Sequence, residues 1–326
     1  MPYGLRVRVP LRAILLNRAK ALFLFIKIHT LVMNYSPLAA AWICWAIVGL
    51  SPIMGKYAVG VISPALLVFL GTLIGVVFFA PWITKNKKWR ELFSRNTCWQ
   101  FLFIGTFGTA LPFTVFLIAL HYTTPGNAAI LQQSELFYSL LFAIVFLREF
   151  PSKNQLIGCA LIVMGVFIIL LKEQYTPRWT GDLLIVGSTW MLQAGSTVAK
   201  KLPKNLDYRV IGMARNLFAL PALLLILAVI YLLKEPFLLK TNLQMITVLG
   251  YTGFLKYGLA MVVWYKAIRA LDLSKVTAIY LSYPVLSLLI SALLGLEHPT
   301  LHQCFGLIIT CAGAYWVSLT VKKEGH

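Results

Sequence analysis

Long apolar runs recur along the whole chain, and only short polar linkers separate them. Each run holds about 20 residues, the length that an α-helix needs to cross a hydrocarbon core of roughly 30 Å. Only 12% of the residues are charged, whereas a soluble domain carries roughly 25%. Backbone groups inside lipid need partners within the protein, and the runs lack the period-2 alternation of a membrane barrel. The sequence therefore predicts an all-α polytopic membrane protein.

The apolar runs predict ten transmembrane helices, with bounds good to about four residues. They cover residues 38–56, 64–84, 98–120, 125–147, 153–171, 181–200, 210–233, 244–266, 274–295 and 301–321. Of the 29 lysines and arginines, 22 fall in the two termini and the even-numbered linkers, on one side of the predicted membrane. Positive charge marks the cytoplasmic side, so both termini are expected to be cytoplasmic.

Other classes of protein fit the sequence poorly. The net charge of +19 follows from the linker bias and does not indicate nucleic-acid binding. The five cysteines lie in apolar runs without the spacing of a metal site or a disulfide framework, and the five histidines are dispersed. We therefore predict no catalytic residue, no metal site and no cofactor, and we expect that the protein is not an enzyme.

Residues 1–35 form a basic segment in which Arg and Lys interrupt the apolar residues too often for a spanning helix. Two interpretations stay open: a basic interfacial helix, or an artefactual leader with translation starting at Met33. The remaining chain is predicted to divide into a five-helix repeat at 36–172, a second one at 178–321 and a cytoplasmic tail at 322–326.

An internal repeat indicates how the helices are organised. Residues 119–171 align without a gap with residues 267–319, at an offset of 148. The matched pairs include Ala119–Ala267, Ser134–Ser282, Glu149–Glu297, Pro151–Pro299, Gln155–Gln303, Gly158–Gly306 and Gly165–Gly313. Both copies break their apolar run with a helix-start signature, Ser152-x-x-Gln155 and Thr300-x-x-Gln303. The same helical hairpin is therefore used twice.

The repeat extends toward the start of each half. Gly105 matches Gly253 at the offset of 148, and Gly71 meets Arg215 at an offset of 144. Each half holds five predicted spans, and an odd number places the second half upside down relative to the first. Inverted repeats of this kind build transporters, because the two halves can alternate access to a central site. Glycines at helical spacing are expected to allow close helix packing, namely Gly71 with Gly75 and Gly158 with Gly165.

Ionisable residues within the apolar runs are the strongest signal for a site, because a charge in lipid is costly. Glu135 and Lys256 lie in the middle of spans, and Arg215 lies near the cytoplasmic end of its span. Two structural alternatives stay open: an ion pair between Glu135 and Lys256 that locks helices together, and an Arg215 that snorkels to the interface. Polar and aromatic residues complete the candidate cavity: Asn127, Tyr138, Trp45, Trp190, Gln193, Tyr257, Tyr280 and Tyr283.

The chain resembles the EamA family of the drug/metabolite transporter superfamily over residues 36–321. The resemblance depends on the repeat and on an acid before spans five and ten, in Glu149-x-Pro151-Ser152 and Glu297-x-Pro299-Thr300. Arg215 matches an arginine typical of span seven in such proteins, whereas Gly71 departs from the corresponding arginine of span two. The resemblance implies binding in a cavity between the two halves, with amino acids, related metabolites, nucleotide sugars or drugs as substrates.

We predict a secondary transporter that moves a small polar organic metabolite, with amino acids or related compounds favoured, across a bacterial inner membrane by alternating access. Its expected partners are the substrate, the lipid bilayer and, through spans five and ten, a second copy in a homodimer. One alternative is a multidrug or lipophilic-cation exporter of the same superfamily, which the basic cavity residues disfavour. A membrane-embedded lipid-modifying enzyme is the other.

Overall fold

The computed structural model describes residues 35–58, 60–119, 122–123, 131–170, 178–234, 236–295 and 300–319. Within these ranges the protein is all-α, and the β-structure is limited to one isolated bridge between Ile62 and Leu239. The prediction of an all-α fold is therefore confirmed for the described part of the chain. The basic segment at 1–35, apart from its last residue, and the tail at 322–326 lie outside the described residues.

The described residues form a short helix at Trp89–Leu92 and ten longer helical segments. In the first half these are α1 (Pro37–Gly49 and Ser51–Ala58), α2 (Pro64–Lys85), α3 (Cys98–Gly105, Thr106–Ala110 and Leu111–Ala119), α4 (Ser134–Phe142 and Ala143–Leu147) and α5 (Lys153–Leu170). In the second half they are α6 (Trp179–Lys201), α7 (Tyr208–Leu217 and Leu220–Leu232), α8 (Leu243–Gly250, Tyr251–Leu259 and Ala260–Ala270), α9 (Leu273–Leu281 and Tyr283–Leu293) and α10 (Leu301–Leu319). Each segment coincides with one predicted apolar run.

Six of these segments, α1, α2, α3, α7, α8 and α9, are long and apolar enough to cross a membrane. The described parts of α4 and α5 are shorter apolar helices. By length and composition the protein is therefore a polytopic membrane protein. The number of ten spans stays a prediction.

Local sequence sets several helix boundaries. α1 begins where the Ser36 side chain accepts a hydrogen bond from the Ala39 N–H and Pro37 occupies the first turn, a combination that favours a helix start. The Asp207 side chain accepts from the Arg209 N–H at the start of α7, and Asn242 accepts from Met245 in the same way at the start of α8. α4 ends at Arg148, whose φ of 55° is left-handed and stops the helix.

π-helical turns interrupt three of the helices. They cover Thr106–Ala110 in α3, Ala143–Leu147 in α4 and Tyr251–Leu259 in α8. A π turn shifts the hydrogen-bond register and leaves backbone carbonyls open to other partners, and such turns often mark functional sites. The turns in α3 and α8 lie at equivalent positions of the two repeats, because the offset of 148 carries residues 106–110 to 254–258.

The glycines of α5 and α10 pack against each other. A Cβ atom at Gly158 would lie 3.1 Å from the carbonyl oxygen of Gly313, and one at Gly165 would lie 2.7 Å from that of Gly306. Since the earlier glycine of α5 faces the later glycine of α10, the two helices run antiparallel. The expectation of close packing is confirmed here. It is also confirmed for Gly71 and Gly75, which face Tyr257.

Glu149 joins the two halves of the chain at one end of the bundle. Its carboxylate lies 2.5 Å from Lys200 Nζ and accepts a hydrogen bond from the Leu273 N–H at 3.0 Å. The neighbouring Gln155 side chain donates to the Ser274 hydroxyl at 2.7 Å. The Lys200 side chain is only 10% exposed, because it is held in this ion pair.

A matched pair of glycine substitutions tests the α5–α10 contact. Gly165→Ala places a methyl group 2.6 Å from the backbone nitrogen of Thr310, and overpacking of this kind costs about 1–3 kcal/mol. A Cβ atom at Gly187 in α6 would have no neighbouring atom within 4 Å, so Gly187→Ala is the control. We expect thermal unfolding in detergent to show a lower Tm for Gly165→Ala and an unchanged or higher Tm for Gly187→Ala. Equal Tm values for the two variants would contradict this packing.

A second pair tests the Glu149 contact. Glu149→Gln removes one charge of a buried ion pair, which costs about 3 kcal/mol or more because the partner charge stays behind. Glu91→Gln removes one charge of the pair with Lys88, where both side chains are about one-third exposed, and such pairs are worth about 0–1 kcal/mol. We expect a clear loss of Tm for Glu149→Gln only. A similar small loss in both variants would show that the Glu149 pair is not a structural tie.

Candidate functional site

Glu135 lies buried at the contact between the two halves. Its carboxylate, with the residue 4% exposed, accepts a hydrogen bond from Gln193 Nε2 on α6 at 2.7 Å. Among the described residues, no Lys or Arg lies within 4.0 Å of this carboxylate. The ion pair between Glu135 and Lys256 that the sequence left open is therefore wrong. An amide, which lacks charge, holds the acid in place.

Arg215 also bridges the two halves. It is 5% exposed, and its Nε donates to the Thr109 hydroxyl of α3 at 2.6 Å. The other two guanidinium nitrogens reach the carbonyl oxygen of Gly108 and the Met261 sulfur. Gly108 lies in the π turn of α3, which explains why its carbonyl is available. Arg215 therefore points into the bundle, and the snorkelling alternative is wrong.

Lys256 lies in the π turn of α8 and is half-buried. Its Nζ is 5.0 Å from the centroid of the Phe113 ring, and the Arg215 guanidinium carbon is 5.9 Å from the same centroid. Tyr257 is buried beside them, with its ring centroid 5.6 Å from that of Phe113. The two cations therefore flank one aromatic ring of α3.

Tyrosines of α9 form a second wall of the site. The Tyr283 hydroxyl donates to Gln132 Oε1 of the first half at 2.8 Å. The Tyr283 and Tyr280 rings lie 6.1 Å apart, and the Tyr280 ring meets that of Trp264 at 5.4 Å. Tyr280 and Tyr283 are only half-buried although both lie within this interhelical cluster. Through the bond between Tyr283 and Gln132, this cluster contacts the first half of the chain.

The remaining predicted site residues divide into three groups. Trp45 packs on Trp42 in α1, and its buried Nε1 has no acceptor among the described residues. Trp190 is 40% exposed, and both it and Tyr138 contact the Phe142 ring instead of the α9 tyrosines. Asn127 lies outside the described residues.

Several residues of this region are missing from the sequence-based prediction. The Tyr251 hydroxyl bonds with Ser51 at 2.7 Å and with the Ile47 carbonyl, and so joins α8 to α1. Phe113, Thr109 and Met261 surround Arg215 and Lys256. Tyr251 could have been sought as a polar residue within an apolar run, whereas Phe113 looks like any other apolar residue of a span.

The described residues offer no site for a metal ion, since they contain no group of three or more His, Cys, Asp or Glu in suitable proximity. The region brings together groups of several chemical kinds. It contains one buried acid, two cations, several tyrosine hydroxyls and aromatic surfaces, all inside a membrane protein. Arg215 also lies near enough to interact electrostatically with Glu135.

Comparison with known proteins shows which family the chain belongs to. A model of the EamA-like transporter family matches residues 36–171 and again residues 179–319. A protein of Archaeoglobus fulgidus named as an uncharacterized transporter is 25% identical over 277 residues, which are 82% of this chain and 92% of the relative. The uncharacterized transporter YyaM of Bacillus subtilis is 20% identical over 276 residues, 82% of this chain and 89% of the relative.

The fold is also found among solved structures. One crystal structure of a protein superposes with a TM-score of 0.74 at 18% identity and covers 87% of this chain and 96% of its own. This likeness concerns the fold alone. The two matches to the family model, by contrast, cover most of the chain in sequence. The chain therefore belongs to the EamA-like transporter family of the drug/metabolite transporter superfamily.

Proposed function

We propose that this protein is a secondary transporter that moves a small polar organic metabolite across a bacterial inner membrane by alternating access. Amino acids and related compounds are the favoured substrates. The observation that carries the proposal is a buried polar centre to which both halves contribute, with Glu135 of the first half bonded to Gln193 of the second. Polar groups at this depth in a membrane protein are costly and are retained for function.

We further propose that the ten helices form two inverted five-helix repeats with both termini in the cytoplasm. The antiparallel α5–α10 pair supports the inversion. So do two equivalent contacts: Gly105 of α3 abuts Phe218 of α7, and its repeat mate Gly253 of α8 abuts Ile74 of α2. Ile74 corresponds to Phe218 at the offset of 144. Each contact therefore consists of the repeat mates of the residues that form the other contact. Such symmetry is expected when each half can adopt the conformation of the other.

The chemistry of the centre suits a zwitterion. Glu135 can accept the amine of a substrate or carry a coupling proton, while Arg215 and Lys256 supply positive charge. Gln193 Oε1 and Trp45 Nε1 are buried without partners among the described residues, and so offer an acceptor and a donor to a polar ligand. A lipophilic cation would be repelled by two cations, which disfavours the alternative of a multidrug exporter.

Transport by reconstituted protein tests this proposal. We expect proteoliposomes to accumulate labelled amino acids, and Glu135→Gln to lower the rate about 10-fold to 100-fold, because a charge-assisted bond is worth about 1.5–3 kcal/mol. Glu91→Gln, on a surface pair, is the control and should transport normally. Rates are compared with and without a pH gradient, and loss of the gradient effect in Glu135→Gln alone would identify the proton carrier.

The same assay can contradict the proposal. An unchanged rate in Glu135→Gln would remove Glu135 from both substrate binding and proton coupling. Uptake of quaternary amines in the absence of amino-acid uptake would favour the exporter alternative.

A further inference from the structure

Two cations lie inside the helix bundle, and among the described residues neither has a carboxylate within ion-pair distance. The bonds of Arg215 go to a hydroxyl, a carbonyl and a thioether, all of them neutral. Lys256 Nζ contacts the Phe113 ring, and among the described residues it has neither a hydrogen bond nor an ion pair. Burying an uncompensated charge costs several kcal/mol, so the pair needs a reason to persist.

The acids of the described residues do not neutralise these cations. The Glu135 carboxylate interacts electrostatically with Arg215 but forms no ion pair with either cation, and its hydrogen bond comes from Gln193. The others interact elsewhere: Glu91 with Lys88, Glu149 with Lys200, Asp207 with Arg209, Asp182 with Thr123 and Asp272 with Lys275. Within the described part of the chain, the centre therefore carries an excess of positive charge.

The internal repeat shows that this charge is asymmetric. At the repeat offsets, Arg215 corresponds to Gly71 and Lys256 corresponds to Gly108. The first half thus has a glycine at both positions where the second half has a cation. Packing requires the glycine at Gly71, since a Cβ there would lie 2.7 Å from Thr252 Cγ2, whereas a Cβ at Gly108 would have no neighbour closer than 3.7 Å. The two halves therefore differ in charge at these positions: among the described residues, the two cations of the centre lie on α7 and α8 of the second half.

An oxyanion bound between the two cations would remove this cost. Arg215 and Lys256 repel each other electrostatically, and a negative group between them turns repulsion into two attractions. The planar guanidinium matches a carboxylate or phosphate in geometry, and Lys supplies a point charge. We propose that Arg215 and Lys256, beside Phe113, form the subsite for a carboxylate or phosphate group of the transported metabolite. This inference rests on the proposed transport function and narrows its substrates to metabolites that carry an oxyanion.

Thermal unfolding of the detergent-purified full chain tests the subsite without a known substrate. The probes are sodium phosphate and sodium acetate, each compared with sodium chloride at equal ionic strength. Lys256→Met keeps the length of the side chain, removes the charge and breaks no hydrogen bond within the described residues. We expect it to raise the Tm of the ligand-free protein by a few degrees and to abolish the extra stabilisation by phosphate or acetate. Lys153→Met, at an exposed position of α5, should change neither.

A lower ligand-free Tm in Lys256→Met, with the anion effect retained, would overturn the subsite and show a structural role for the lysine. The choice between phosphate and acetate as the stabilising probe indicates which oxyanion the substrate carries.

A counterflow assay separates failure of the subsite from failure of the transport function. Proteoliposomes loaded with a cell metabolite extract are exchanged against an isotope-labelled extract, and the accumulated compounds are identified by mass spectrometry. We expect every accumulated compound to carry a carboxylate or phosphate, and Lys256→Met to lower its accumulation about 10-fold or more. Accumulation of neutral or cationic compounds that Lys256→Met does not affect would overturn the subsite and leave transport standing. If no compound accumulates while the anion effect on Tm is lost in Lys256→Met, the transport function fails and the anion site stands.

Discussion

The structure depends on one constraint: a polar group inside a lipid-embedded bundle must find its partner on another helix of the same protein. Glu135 meets Gln193, Arg215 meets the π turn of α3, and the Asn216 side chain donates to the Tyr257 carbonyl at 2.9 Å. The first two of these contacts cross from one half of the chain to the other. The polar centre therefore holds the halves together, and under the proposed function the same groups contact the substrate.

The contacts at one end of the bundle differ from those of the polar centre. The Glu149–Lys200 pair and the Gln155–Ser274 bond join the halves through charges and hydrogen bonds at one end of the bundle. At equivalent positions of the second half, Gln303 instead accepts from the Thr300 N–H of its own helix start. Ser274 corresponds to Gly126 at the repeat offset, and a glycine offers no hydroxyl. The repeat mates Gln155 and Gln303 therefore form different hydrogen bonds.

Much of this arrangement follows from the sequence. Apolar runs gave the helix positions, because length and hydropathy are local properties, and the repeat indicated which glycines pack closely. The pairing of side chains did not follow, because an apolar run does not reveal how its helix is rotated against neighbours. Glu135 therefore binds the amide of Gln193, although the sequence allowed an ion pair with a lysine. Arg215 points into the bundle, although the sequence allowed it to reach the membrane interface. Phe113 was missed because an aromatic residue in an apolar helix carries no signal until its neighbours are known.

The central claim is that two five-helix repeats face each other with opposite orientations across the membrane. Single cysteines at Ser152 and Thr300, which are repeat mates, test it in a chain whose five native cysteines have been replaced. A membrane-impermeant maleimide is applied to right-side-out and inside-out vesicles. We predict that the cysteine at 152 is labelled from the cytoplasmic face and the cysteine at 300 from the opposite face. Labelling of both from the same face would contradict the inverted architecture and the transport mechanism built on it.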